Sequence, residues 1–202
     1  MQKINKSKNY FLECELFYFV KIDSSYISDE YCKWLNDPDI TKFMNIGKVP
    51  ISFLEMENYI SSTVQSGVIN NTIIMFAICI KENNRHIGNI KLWNIDWINR
   101  SAIISIMIGD KEYNGLGIAT NSIKLICDYA FNTLNIHKIN VDIQQENIAS
   151  IRVFEKNGFI KEGLRLDDIF YDGKWCNCSG LTNCSGLTNL DTKIALYPSR
   201  GY

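Results

Sequence analysis

Two hydrophobic periods run along this chain, and the switch between them divides it. Residues 12–22 alternate apolar and polar positions as a strand does. Ser28-Asp29-Glu30 can cap a helix that runs through Trp34 and stops before Pro38, because a proline pushes its predecessor out of the helical region. Ser52 with Glu55 three residues later is a capping box, predicting a second helix to about residue 66. Residues 72–80, rich in Ile, Met and Phe, read as a buried strand. Glu82-Asn83-Asn84-Arg85 reads as a turn, and 86–95 and 100–108 complete an antiparallel meander.

Beyond residue 108 the period lengthens. Leu116, Ile123, Ile126, Cys127, Ala130 and Phe131 fall at helical spacing, predicting a long helix to about residue 134. A strand follows at 137–143, then a short helix over 147–156 with Asn147 as its cap and Asn157-Gly158 as its terminator. Residues 159–171 are extended and end in an Asp172-Gly173 hairpin turn. The order β-α-α-β-β-β-α-β-α-β predicts an α/β fold with one mixed sheet, an antiparallel meander first and βαβα crossover units second. Residues 178–183 read Cys-Ser-Gly-Leu-Thr-Asn, and 184–189 repeat them identically. That unit is far shorter than the roughly 20–50 residues of a solenoid repeat, so it reads as a local duplication. It would interrupt a last strand begun at Lys174, with 193–197 resuming it. The predicted division is one domain over 1–175 and an irregular tail over 176–202.

Composition narrows the class. A chain of 202 residues builds one domain with a substantial core. The net charge of −1 argues against a nucleic-acid partner. No apolar run approaches the roughly 20 residues of a membrane helix. The polar, basic start and the interruptions at Glu13, Glu15 and Lys21 argue against a signal peptide, so a cytoplasmic protein with no membrane partner is expected. Cys14, Cys32, Cys79 and Cys127 read as small buried hydrophobes in a reducing compartment. Cys176, Cys178 and Cys184 cluster, but neither His86 nor His137 lies near them in sequence, so no metal is expected.

The candidate chemistry lies at Asn114-Gly115-Leu116-Gly117-Ile118-Ala119-Thr120. Helix N-termini present unpaired N–H groups and partial positive charge, and glycines let a ligand approach that backbone, so this turn can cradle a pyrophosphate. An ordinary strand-to-helix loop would use the same glycines. A P-loop needs Gly-Lys-Ser/Thr, which is absent. A dinucleotide fold wants a third glycine where Thr120 stands; Asp142 is at a suitable distance for a ribose but sits inside a predicted strand.

A third reading rests on resemblance. The segment Asn114 to Ala119 resembles the phosphate-binding turn of the GCN5-related N-acetyltransferases (GNAT), with Asn114 where Gln or Arg is usual. Asn147-Ile148-Ala149-Ser150 and Phe154-Glu155-Lys156-Asn157-Gly158-Phe159 resemble that superfamily's next motif. Glu162-Gly163 and Trp34-Leu35-Asn36-Asp37-Pro38 resemble its ribosomal-protein N-terminal acetyltransferase branch. The resemblance covers roughly residues 12–175. It implies a GNAT-like fold with a splayed central sheet and acetyl-CoA as co-substrate, held at Asn114 to Thr120 and by the strand end Ile106-Met107-Ile108. That strand would supply a backbone N–H to polarise the thioester carbonyl. Many members protonate the leaving thiolate with a tyrosine; Phe154 stands there, so the resemblance passes that role to Ser150. Asn147, Phe154 and Lys156 are implied cofactor contacts. Asn147 also reads as a simple cap, and Ser150 as a hydroxyl bonded within its own helical turn. Asp167, Asp168 and Glu146 are candidate bases, each also readable as a solvated carboxylate. Trp93 and Trp97 are candidates for an acceptor pocket, and Tyr113 and Phe131 read as packing. The implied partner is a small-molecule amine such as an amino sugar, with a protein N-terminus as alternative acceptor, a non-catalytic acyl-CoA-binding module as alternative function, and a homodimer as a candidate assembly.

Overall fold

The computed structural model describes residues 10–70 and 72–185. Eight strands form one sheet: β1 (Leu12–Glu13), β2 (Phe17–Lys21), β3 (Ile74–Ile80), β4 (His86–Asp96), β5 (Ser101–Ile108), β6 (Lys138–Gln144), β7 (Ile160–Tyr171) and β8 (Lys174–Cys184). Five helices are α1 (Asp29–Asn36), α2 (Pro38–Thr41), α3 (Phe53–Asn70), α4 (Ile118–Asn132) and α5 (Ile148–Lys156). The sheet order is β1-β2-β3-β4-β5-β6-β8-β7, and among the described strands only β5 and β6 pair in parallel.

Strand alternation splits the core in two. Phe17, Phe19, Phe76, Ile78 and Ile80 point to one face, where α4 (Ile118, Ile123, Ile126, Ala130) and α5 (Phe154) cover them. Tyr18, Met75, Ala77 and Cys79 point to the other, under α1 (Tyr31, Trp34, Leu35) and α3 (Met56, Ile60). The expected caps are in place. The Ser28 hydroxyl accepts from the Tyr31 N–H at 3.1 Å. In the α3 capping box, the Glu55 carboxylate accepts from the Ser52 N–H at 2.8 Å and the Glu55 N–H donates to the Ser52 hydroxyl at 3.2 Å.

The mixed sheet, meander first and crossover units second, is as the sequence predicts; three details differ. The 12–22 strand is two strands joined by a tight turn in which the Cys14 N–H bonds to the Phe17 carbonyl at 3.0 Å. Pro38 both ends α1 and opens α2 from its first turn, where its missing N–H costs nothing. The largest correction is β8. The duplicated unit does not break the last strand. Its first copy lies inside β8, between β6 and β7, with Leu181 opposite Val141 and Thr182 opposite Asn140. Cys178, Leu181 and Thr182 are buried there, so small and apolar residues suit a strand covered on both faces. Residues 176–184 therefore belong to the sheet and are not an irregular tail. Residues 186–189 of the second copy, and 193–197, lie outside the described residues.

Candidate active site

β5 and β6 share only three rungs, Ser101↔Lys138, Ala102↔Ile139 and Ile103↔Asn140. β5 then continues to Ile108 and β6 to Gln144 without pairing, so a gap opens between their C-terminal halves. β5 stays paired with β4 through Asn89↔Met107 and Gly88↔Ile108. The Gly109 N–H bonds to the Ile87 carbonyl at 2.9 Å. In an antiparallel pair that bond assigns the backbone groups of Met107 to β4 and those of Ile106 and Ile108 to the gap. Of the three strand-end residues, Ile106 and Ile108 offer backbone N–H groups there. Met107 does not, and its side chain packs on the α1/α3 side.

The glycine turn hangs from a pinned loop. Asp110 caps the 3-10 helix Lys111–Tyr113, and its carboxylate meets the Arg85 guanidinium at 2.8 Å. Arg85 also pairs with Glu30 and Glu112. Lys111 bridges Asp37 and Asp39, each at 2.9 Å, which holds the Asp37 carboxyl below its usual range. The Asp37-Pro38 pair thus ties the front helices to the loop. Gly109 is forced by packing: a Cβ there would lie 2.1 Å from the Trp34 ring. Gly115 and Gly117 are forced by conformation, at φ 78° and 75°, and no protein atom lies within 4 Å of a Cβ built on Gly115. Gly117 occupies the cap position of α4, yet no side chain accepts from the helix and no acid stands in its first turn. The first N–H groups of α4, at Ile118, Ala119 and Thr120, therefore lack a capping side chain, and the Asn114–Gly117 approach to them is exposed. The Ile118 side chain itself is buried in the core.

α5 starts at the same edge. The Asn147 side chain accepts from the Ser150 N–H at 3.2 Å, so its capping role is real. The Ser150 side chain is half-buried, and its hydroxyl makes no hydrogen bond among the described residues. Phe154 is 2% exposed, packed edge-on against Phe159 at 4.9 Å. It is a core residue. Lys156 sits in the last turn of α5, about 12 Å along the axis from the helix start at 1.5 Å per residue. Its neighbour Asn157 bonds Asn183, which pairs with Ile139 at the opposite end of β6.

The candidate bases scatter. Asp168 pairs with Arg165 at 3.0 Å; Asp167 and Glu146 are exposed. Asp142, the former ribose candidate, pairs with Arg165 at 2.9 Å, and these bonds raise the Arg165 pKa. Trp93 donates its indole N–H to the Ser105 hydroxyl at 2.9 Å on the α1/α3 side of the sheet.

Two buried carboxamides escape the sequence reading. Gln144 is 3% exposed with neither side-chain amide atom hydrogen-bonded among the described residues, and Asn89 is 5% exposed with its Nδ2 unpaired. Leaving such groups unpaired costs about 1–3 kcal/mol each. The Asn89 Oδ1 is engaged, at 3.0 Å from the His86 Nε2. His86 sits among Tyr26, Tyr31 and Trp34, and burial lowers its pKa, keeping it a neutral donor. The signal for Gln144 was parity: extending the predicted 137–143 strand by one residue puts it on the face of Asn140 and Asp142.

Comparison with known proteins agrees with this geometry. A family model described as an acetyltransferase (GNAT) domain matches residues 21–160. Probable N-acetyltransferase YjcK of Bacillus subtilis (strain 168) is 38% identical over 103 residues, 50% of this chain and 55% of that protein. A spermidine N(1)-acetyltransferase of Vibrio cholerae is 36% identical over 89 residues, 44% of this chain and 51% of its own length. The chain thus spans little more than half the length of these two relatives. Among solved structures, spermidine N-acetyltransferase from Vibrio cholerae in complex with CoA and spermine superposes with a TM-score of 0.73 at 24% identity, covering 83% of this chain and 95% of that one. The ribosomal-protein-S5-alanine acetyltransferase from Vibrio fischeri gives 0.75 at 19% identity, covering 86% and 96%. With a splayed sheet, an open glycine turn and a family model that matches most of its length, the chain belongs to the GNAT family of acetyltransferases.

Proposed function

We propose that the protein transfers an acetyl group from acetyl-CoA to a primary amine of a small molecule. The observation that carries this reading is the uncapped N-terminus of α4 beside the gap between β5 and β6. The residues present fit coenzyme A: the N–H groups from Gly115 to Thr120 suit a pyrophosphate, and the gap suits an extended arm lying between two strands. Acetyl-CoA supplies an activated acyl group. The chain supplies the rest. An Ile106 or Ile108 N–H, already turned into the gap, is available to a developing oxyanion. The Ser150 hydroxyl, with no hydrogen bond among the described residues, holds a proton for the departing thiolate. No helix among the described residues is long and apolar enough to cross a membrane. All seven cysteines are free, which suits a reducing, cytoplasmic setting.

A small-molecule acceptor is favoured by the relatives whose names carry spermidine, which extends the acceptor class from amino sugars to polyamines. The test is free-thiol release from acetyl-CoA across amino sugars, aminoglycosides, polyamines and N-terminal peptides. At least one small amine should accelerate release. Release driven by peptides alone would move the acceptor to a protein N-terminus. Tight CoA binding with no acceptor-dependent release would favour a non-catalytic module. Ser150→Ala should cut turnover roughly a hundredfold, in the range of one proton-transfer group, while CoA affinity holds. Unchanged turnover would remove Ser150 from the reaction.

A further inference from the structure

Counting four residues past the last shared rung, Ile103↔Asn140, puts Met107 level with Gln144 across the gap. Asn89 is the β4 partner of Met107. Asn89, Met107 and Gln144 therefore stand in one row, at the level where β5 and β6 no longer bond to each other. They also share a face. Ile139, Val141 and Ile143 of β6 enter the core under α4 and α5, so the alternate residues Asn140, Asp142 and Gln144 point the other way. Met107 packs on that other side too. Three side-chain amide atoms in this row, Gln144 Oε1 and Nε2 and Asn89 Nδ2, are buried without partners.

α4 covers the opposite face, so a phosphate group at Gly115–Thr120 approaches from there, and an acyl group carried through the gap emerges towards the row. We propose that Gln144, with Asn89 across from it, is the residue pair that receives and orients the acceptor amine. This rests on the acetyl-transfer reading above. The Gln144 Oε1 accepts an N–H of the neutral amine, which leaves the nitrogen lone pair free for the thioester carbon. The Gln144 Nε2 and Asn89 Nδ2 groups donate to a neighbouring hydroxyl or amine of the same acceptor. As the C–N bond forms and the C–S bond breaks, the thiolate takes the Ser150 hydroxyl proton. The surplus amine proton passes to water, and water returns one to Ser150.

The experiment uses the full chain, acetyl-CoA and the best acceptor found by thiol release. In Gln144→Leu, acceptor kcat/KM should fall about tenfold, the size of one lost hydrogen bond to substrate. Its CoA affinity should stay within about twofold of wild type, and its melting temperature without ligand should equal or exceed wild type, because an unpartnered amide has been removed. Gln144→Met, unbranched and flexible, repeats the test should the branched leucine disturb packing. Unchanged kcat/KM in a folded variant overturns the inference and leaves the acetyl-transfer reading standing. A drop in melting temperature in both variants overturns it as well, since the amide would then have a structural partner. A wild-type protein that binds CoA but releases no thiol with any amine overturns the reading itself and the inference with it.

Discussion

α4 and α5 begin at the same edge of the sheet, each after one of the two parallel strands, and their first turns are built in opposite ways. Asn147 closes α5 with its own side chain. α4 begins on Gly117, with no capping side chain and no acid in its first turn. The other helices with described caps are closed: α1 by Ser28 and α2 by Asp37. α3 is closed by Ser52 with Glu55. An uncapped terminus forgoes about 1 kcal/mol that a Ser, Asn or Asp would supply. α4 thus leaves the N–H groups of its first turn without a capping side chain, and α5 uses one of its own.

The largest effect expected from this contrast concerns the glycine that serves the fold. Gly109→Ala should destabilise the protein by about 3 kcal/mol, since the new Cβ meets the Trp34 ring at 2.1 Å and that ring is fixed in the α1/α3 core. Chemical denaturation measures it. A loss under about 1 kcal/mol would mean that Trp34 yields and that packing does not require a glycine at 109.

A smaller effect, with opposite signs in two measurements, tests α4 directly. Thr120→Asp places a carboxylate beside the uncapped N–H groups. It should raise the stability of the free protein by a few tenths of a kcal/mol by complementing the helix dipole. It should weaken CoA binding about tenfold by repelling phosphates, and the loss should shrink as salt rises. Chemical denaturation reads the stability, and calorimetric titration with CoA at two ionic strengths reads the affinity and its salt dependence. Unchanged affinity would show that α4 does not hold the phosphates.

What could be read in advance follows the same division. The meander, both crossover helices, the Ser28, Ser52 and Asn147 caps and the hairpin at Asp172-Gly173 were legible, because each depends on neighbours within a few residues. The glycine turn was legible because Gly115 and Gly117 sit next to the helix they open. Three things were not. β8 is stabilised by β6 and β7 on its two sides, so a hexapeptide that looks like a turn-rich tail becomes a central strand by long-range pairing. The place of Lys156 in the last turn of α5, at the other end of the helix from Asn147, follows from the helix and not from the motif. Gln144 and Asn89 lie in one row only through the register of β4, β5 and β6, and parity marks Gln144 only once the predicted strand is extended by one residue.

Asn147→Ala carries the smallest expected effect and isolates the closed terminus. The Asn147 Oδ1 accepts from the Ser150 N–H, so its removal should cost about 1 kcal/mol of stability, the usual worth of an N-cap. CoA affinity should stay within about twofold, because an oxygen engaged with its own helix has little left for a ligand. Turnover should fall more than affinity does. The cap sets the pitch of the first turn and thereby the direction of the Ser150 hydroxyl, so loosening it acts on the proton donor. If affinity for CoA instead drops more than about tenfold while stability holds, Asn147 leaves its cap to bind the cofactor. The two helix termini would then be open alike, and the division between a helix that serves the ligand and one that serves itself would fail.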